Sequence, residues 1–131
     1  MSLRSVLVVA VLVLVLGPAH AQPTGTAVQR CARVVGGDAA RATLECRTRL
    51  AATASRFRTD PASVIDTLIA GVERLRAAGI ETPLLKIIGI DGLTRLVRNG
   101  RSFGTMLDRY LTHRIERGRS HAAAVAALEA R

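Results

Sequence analysis

The segment from Asp60 to Ile80 carries the complete set of helix signals and constrains the fold of the chain most strongly. Asp60 is a good N-cap, and Pro61 follows at the first helical position, where its missing N–H has no cost. Gly79 ends the pattern, and Ile80 is placed to fold back onto Leu75 in a Schellman-type stop. Between these ends one wide apolar face recurs with helical spacing: Val64, Ile65, Leu68, Ile69, Val72 and Leu75. The sequence therefore predicts an amphipathic helix here.

A second helix is predicted to begin at Asp38, which follows Gly36 and Gly37 and serves as its N-cap. Its weakly apolar stripe is Ala39, Thr43, Cys46, Leu50, Thr53 and Phe57. Cys31 and Cys46 are the two cysteines of the chain, and their wide spacing suits neither a zinc site nor a Cys-x-x-Cys redox motif. We predict a structural disulfide between Cys31 and Cys46.

The C-terminal third is predicted to form two further helices. Ser102 caps the first of them, and its apolar residues recur over more than three turns: Phe103, Met106, Leu107, Tyr110, Leu111 and Ile115. Gly118 ends that helix, and Ser120 caps the last one, to which Val125 and Leu128 give a modest apolar edge. The tripeptide Gly-Arg-Ser thus occurs at two helix joints, at 100–102 and 118–120.

The stretch LLKIIGIDGL after Thr82-Pro83 fits either a buried strand or a short buried helix. A strand would have no second strand to pair with, so we favour a helix that is broken near Gly89. Asp91 would then cap a further turn or two, which Asn99-Gly100 would end. The predicted fold is all-α, a small bundle of about five helices pinned by one disulfide near the N-terminus.

The N-terminus has the features of a secretory signal peptide. Arg4 precedes an apolar run from Val6 to Leu16, Gly17-Pro18 breaks it, and Ala19-His20-Ala21 fits a signal-peptidase site. The apolar run is too short for a membrane span, although an uncleaved anchor is the alternative. We therefore expect an exported protein, periplasmic or extracellular, with no membrane span once the signal is removed. The predicted organisation is a cleaved signal peptide at 1–21, a mobile N-terminal arm at 22–30 and a single helical domain at 31–131.

The charge of the chain is strongly basic, with a formal net charge of +9. The segment from Arg95 to Arg119 holds seven arginines against two acids, a local net charge of +5. Helix N-termini attract anions, and each Gly-Arg-Ser places an arginine directly before one. The predicted anion- or partner-binding residues are Arg95, Arg98, Arg101, Ser102, Arg114, Arg117, Arg119 and Ser120. The alternative is a basic face that is only solvated.

These features favour a protein that binds an acidic protein, an anionic polymer or an anionic surface. Nucleic acid is disfavoured as the partner because Phe57, Phe103 and Tyr110 are the only aromatic residues, too few for base stacking. A third class, an assembly factor, would instead expose an apolar groove.

Enzymatic chemistry is not favoured by the sequence, and no cofactor, metal or catalytic residue is expected. Gly100 to Gly104 has the spacing Gly-x-Ser-x-Gly around Ser102, but the segment predicted before it is helical and not the strand of a nucleophile elbow, and both Ser102 and Ser120 have a capping role. His113 and Glu116 are three residues apart, but a metal site of that kind needs carboxylates from other helices. The rival hypothesis is a secreted enzyme acting on a phosphorylated or acidic substrate, with His113, Glu116 or His121 as acid or base.

Two segments resemble the small periplasmic immunity proteins of type VI secretion. The run CARVVGGDAARATLEC is similar to their opening, and DRYLTHRIERGRSHAAAVAAL is similar to their ending, with Tyr110, Leu111 and Ala122-Ala123 in the matching positions. The chain departs from that pattern because Arg47-Thr48 stands where a Gly-Tyr is usual, a second cysteine pair is missing, and the middle is longer. The resemblance implies an α-helical protein that neutralises a toxin by binding it.

Overall fold

The computed structural model describes residues 24–88 and 102–129, and within these ranges the protein is all-helical. This confirms the predicted all-α bundle, with six helices in the described part of the chain where about five were expected. The helices are α1 (Thr24–Val35), α2 (Ala39–Arg56), α3 (Pro61–Ala77), α4 (Leu84–Ile88), α5 (Phe103–Ile115) and α6 (His121–Glu129). None of the described helices is both long enough and apolar enough to span a membrane.

The N-terminal helix α1 corrects the prediction of a mobile arm at 22–30. From Thr24 onward this segment is helical, and Ala27 and Val28 are buried against the rest of the bundle. Ala27, Val28 and Cys31 have the spacing of one helix face. The pattern was not recognised in the sequence because polar residues surround these three positions. The helical domain therefore includes residues that had been assigned to the arm. The predicted signal peptide at 1–21 lies outside the described residues.

The predicted disulfide between Cys31 and Cys46 is present and joins α1 to α2. Both cysteines are fully buried, and their Cα atoms are 5.9 Å apart. Asp38 caps α2 as expected, because its carboxylate accepts a hydrogen bond of 2.8 Å from the backbone N–H of Arg41. The disulfide thus fixes the two helices of an N-terminal hairpin against each other.

Helix α3 lies at the centre of the bundle and packs against α1, α2, α4 and α5. Its predicted ends are confirmed: Asp60 accepts from the N–H of Ser63, and the N–H of Ile80 donates to the Leu75 carbonyl in a Schellman motif. Gly71 faces α5 so closely that a Cβ at this position would lie 3.0 Å from Cδ2 of Leu107. This glycine therefore permits the close approach of α3 and α5.

The structure shows that the described part of the stretch after Pro83 is a helix and not a strand. Leu84–Ile88 is helical, with Leu84, Ile87 and Ile88 buried, so the strand alternative is wrong here. The hydroxyl of Thr82, just before this helix, accepts a hydrogen bond from Nη2 of Arg114. The predicted break near Gly89 and the turn starting at Asp91 lie outside the described residues.

Helices α5 and α6 form a C-terminal hairpin. Ser102 caps α5 through a hydrogen bond of 3.1 Å from the N–H of Thr105, as predicted. The ring of Phe103 packs edge-on against Phe57, with ring centroids 5.3 Å apart, which ties the start of α5 to the end of α2. Helix α6 buries little apolar surface, since Ala124 and Leu128 are its buried residues.

Candidate functional site

The residues between α5 and α6 form a tight joint that brings the end of one helix against the start of the next. Gly118 has a φ of 61°, in the left-handed region that favours glycine, and the N–H of Arg119 donates to the His113 carbonyl over 3.0 Å. Ser120 then caps α6, because its hydroxyl accepts from the N–H of Ala123 over 3.1 Å. The glycine and serine of this Gly-Arg-Ser copy are thus explained by folding.

Arg114, on the last turn of α5, connects three segments of the chain. Its Nη2 donates a hydrogen bond of 2.8 Å to the hydroxyl of the buried Thr82, and its Nη1 donates a longer one of 3.4 Å to the carbonyl of Arg119. Its Nε is buried without an acceptor among the described residues. These bonds hold the guanidinium of Arg114 in one place between α5, Thr82 and the α5–α6 connection.

Tyr110 and His121 meet across the joint. The fully buried Tyr110 hydroxyl lies 2.7 Å from Nδ1 of the half-buried His121, and the two rings pack edge-on. Burial raises the pKa of Tyr110, and the nearby Arg114 and a side-chain hydrogen bond with Thr82 offset this only in part. The phenol is therefore neutral, and the tautomer of the imidazole sets the direction of its hydrogen bond with Nδ1 of His121.

The pKa of His121 is lowered, first by burial and then by the positive charges of Lys86 and Arg114. Lys86 belongs to α4, so a third helix contributes a cation to the surroundings of the joint. Among the described residues, the charged groups that shift the pKa of His121 are the cations Lys86 and Arg114. His121 is consequently held neutral at physiological pH.

The pKa of His113 is lowered in the same direction, first by burial and then by Arg119 and Arg117. Its Nδ1 is buried without a hydrogen-bond partner in the part of the chain that the structure describes. The four cations that lower the pKa values of the two histidines come from α4, from α5 and from the connection between α5 and α6. We call this group the basic cluster: Lys86, Arg114, Arg117 and Arg119.

The predicted binding residues have different outcomes in the structure. Arg95, Arg98 and Arg101 lie outside the described residues. Ser102 and Ser120 are exposed helix caps, and the Ser102 hydroxyl also contacts that of Thr105. The structure brings Arg114, Arg117 and Arg119 together around the joint, as part of the basic cluster.

Sequence reasoning missed two contributors to the site, Lys86 and Thr82. Both come from the segment around α4, far along the chain from the joint, and the Thr82–Arg114 bond spans 32 residues. Local patterns carry no signal for such a contact. The Tyr110–His121 pair was also missed. The two residues are only eleven positions apart and lie on opposite sides of one predicted helix joint, and this placement could have suggested the contact.

The cavities of the described structure lie away from the candidate acid and base residues His113, Glu116 and His121. Two of the surface cavities formed by described residues have volumes of about 240 Å³ and about 200 Å³. Neither is lined by His113, Glu116 or His121, and the larger lies between α1, α3 and the start of α4. Within residues 24–88 and 102–129, no group of three or more His, Cys, Asp or Glu side chains could hold a metal ion.

The chain matches no known family model, and it has no significant similarity to a curated protein or to a solved structure. The resemblance to periplasmic immunity proteins therefore stays a prediction.

Proposed function

We propose that this protein binds an acidic macromolecule through the basic cluster at the α5–α6 joint, without covalent chemistry. The observation that supports this is the convergence of Lys86, Arg114, Arg117 and Arg119 on two histidines whose pKa values they lower. Four like charges held near one another create a positive potential that attracts a partner of opposite sign and orients its approach.

Four acidic residues of the described chain pair with arginines outside the basic cluster, which supports the same proposal. These ion pairs join Arg30 to Asp66, Arg41 to Glu45, Arg74 to Asp108 and Arg76 to Glu81. None of these pairs, as far as the structure describes the chain, includes a residue of the basic cluster. The charge of the cluster thus remains available to a partner.

A charge-removal experiment tests the proposal. We expect the triple variant Lys86→Gln, Arg117→Gln, Arg119→Gln to bind poly-glutamate roughly tenfold more weakly than the wild type, because three exposed charge pairs contribute about 0.5 kcal/mol each. Arg114 is left intact because its hydrogen bonds stabilise the fold. Titration calorimetry at pH 7.5, in low and in moderate salt, measures the affinity, which should fall as salt rises.

The matched control removes three exposed arginines from other parts of the bundle: Arg33→Gln, Arg47→Gln, Arg58→Gln. Its net charge equals that of the test variant, so it should lose much less affinity. An equal loss in both variants, or binding by the wild type that does not respond to salt, would contradict the proposed site. Binding to phosphatidylglycerol vesicles but not to poly-glutamate would identify the partner as an anionic lipid surface.

We further propose that the protein is exported. The buried Cys31–Cys46 disulfide supports this, because disulfides persist in oxidising compartments, and so do the signal-peptide features before Gln22. Expression of the full chain in a Gram-negative bacterium should yield periplasmic protein whose intact mass corresponds to a start at Gln22. Recovery of the full-length chain from the cytoplasm with free thiols would contradict export.

A further inference from the structure

The larger of the two surface cavities, of about 240 Å³, lies between α1, α3 and the start of α4. Most of the residues that line it are apolar: Val34, Val35, Val72, Pro83, Leu84 and Leu85. Val72 and Leu84 are buried, whereas Val34 is 43% exposed and forms part of the mouth. Within the described residues, Val34 and Leu44 are the exposed large apolar side chains, so one of these two borders the cavity.

The size of this apolar cavity fits one side chain of a partner. Sites for drug-sized ligands and cofactors have volumes of about 300–1,000 Å³, and the volume of this cavity, about 240 Å³, is below that range. A dry apolar cavity of about 150 Å³ is large enough for benzene. A single aliphatic or aromatic side chain would therefore fill much of the cavity and lose its contact with water.

The apolar cavity adjoins the basic cluster at two points. Thr82 lines the cavity, and its hydroxyl accepts the hydrogen bond of 2.8 Å from Nη2 of Arg114. Lys86 directly follows the lining residue Leu85 on α4. A partner whose carboxylates contact the basic cluster therefore has the cavity next to it, close enough for a neighbouring side chain to enter.

The charged residues that line the cavity, Arg76 and Glu81, pair with each other. Nε of Arg76 lies 3.8 Å from Oε1 of Glu81, and both side chains are mostly exposed. Their opposite charges leave the lining without net charge, so the cavity suits a neutral side chain. The carboxylates of a partner are attracted instead to the basic cluster, where the charge is positive.

We propose that the partner is an acidic protein segment that inserts one apolar side chain into this cavity while its neighbouring carboxylates contact the basic cluster. The inference rests on the proposed function and specifies its partner as a peptide segment, in contrast to a lipid surface or a uniform polyanion. The apolar side chain supplies the buried centre of the interface, and the charges supply its polar rim and its orientation.

Poly-glutamate peptides that carry one central leucine or one central alanine test this proposal. The two peptides have equal charge, so a difference in affinity comes from the apolar side chain. We expect the wild type to bind the leucine peptide about tenfold more tightly, because leucine removes more apolar surface from water than alanine does. Titration calorimetry at pH 7.5 measures both affinities. In methyl NMR spectra, the leucine peptide alone should shift the signals of Val34, Val35 and Leu84.

A matched pair of variants locates the effect. Val34→Gln makes the mouth of the cavity polar without changing the charge, and Leu44→Gln changes an exposed leucine that does not line the cavity. Val34→Gln should reduce the preference for the leucine peptide to about threefold or less, whereas Leu44→Gln should keep it. The triple variant of the basic cluster should weaken the binding of both peptides equally and keep the preference.

The outcomes separate this inference from the proposed function. Equal affinities of the two peptides for the wild type, methyl signals that do not shift, or an unchanged preference in Val34→Gln would overturn the inference and leave the charge-based function intact. No binding of either peptide would overturn both. If N-acetyl-leucine amide binds as tightly as the leucine peptide, the cavity takes a free small molecule. If phosphatidylglycerol vesicles shift the methyl signals and the leucine peptide does not, it takes a lipid chain. Either result would overturn the acidic segment as the occupant.

Discussion

Replacing Cys31 and Cys46 together with alanine is expected to lower the free energy of unfolding by about 3 kcal/mol. The bond closes a loop with a sequence separation of 15, and in the chain-entropy model a loop of this size stabilises the folded state by about 3 kcal/mol. Alanine is chosen because both sites are fully buried and a polar replacement would add a desolvation cost. Urea unfolding followed by circular dichroism at 222 nm measures the difference.

Reduction supplies the control for this experiment. Dithiothreitol should destabilise the wild type and leave the double variant unchanged, because the chain has no other cysteine. A loss below about 1 kcal/mol would show that packing, rather than the cross-link, holds α1 against α2.

The contact between Gly71 and Leu107 gives the second large expected effect. Leu107 is buried on α5, so Leu107→Ala should lower the free energy of unfolding by about 3 kcal/mol, through lost apolar burial and the cavity that remains. Gly71→Ala alone should change the stability little. The added methyl would lie 3.0 Å from Cδ2 of Leu107, and this crowding opposes the gain in helix propensity of about 1 kcal/mol.

The double variant should behave differently from the sum of its parts. In the Leu107→Ala background the crowding at residue 71 is removed, so Gly71→Ala should restore about 1 kcal/mol. A double-mutant cycle from urea unfolding measures this coupling. Strictly additive effects would mean that α3 and α5 do not approach each other closely at Gly71.

Local rules were sufficient to predict most helix ends. Asp38, Asp60, Ser102 and Ser120 all accept the backbone N–H three residues on, and Gly79 ends α3 with the predicted Schellman bonds. These signals act within one turn of the chain, so the sequence displays them directly.

Helix α1 was not predicted, because its stability depends on burial rather than on local signals. It has no acidic residue in its first turn, and its first residues include Thr24 and Gly25, which are poor helix formers. Burial of its apolar face against α2 and α3 stabilises the helix, and the same packing places Cys31 next to Cys46.

The candidate site was predicted only in part. Arg114, Arg117 and Arg119 were chosen from local charge density, and the structure gathers them around one joint. The tethering role of Arg114 and the contribution of Lys86 depend on how α4 packs, which no short-range pattern encodes.

The central position of α3 determines which amide protons of the bundle exchange most slowly with solvent. Because α3 contacts α1, α2, α4 and α5, its amide protons can exchange with deuterium only when the whole bundle opens. Helix α6, which packs chiefly against α5, can exchange through a far smaller fluctuation. The protein should therefore show a gradient of amide protection that is highest in α3 and lowest in α6.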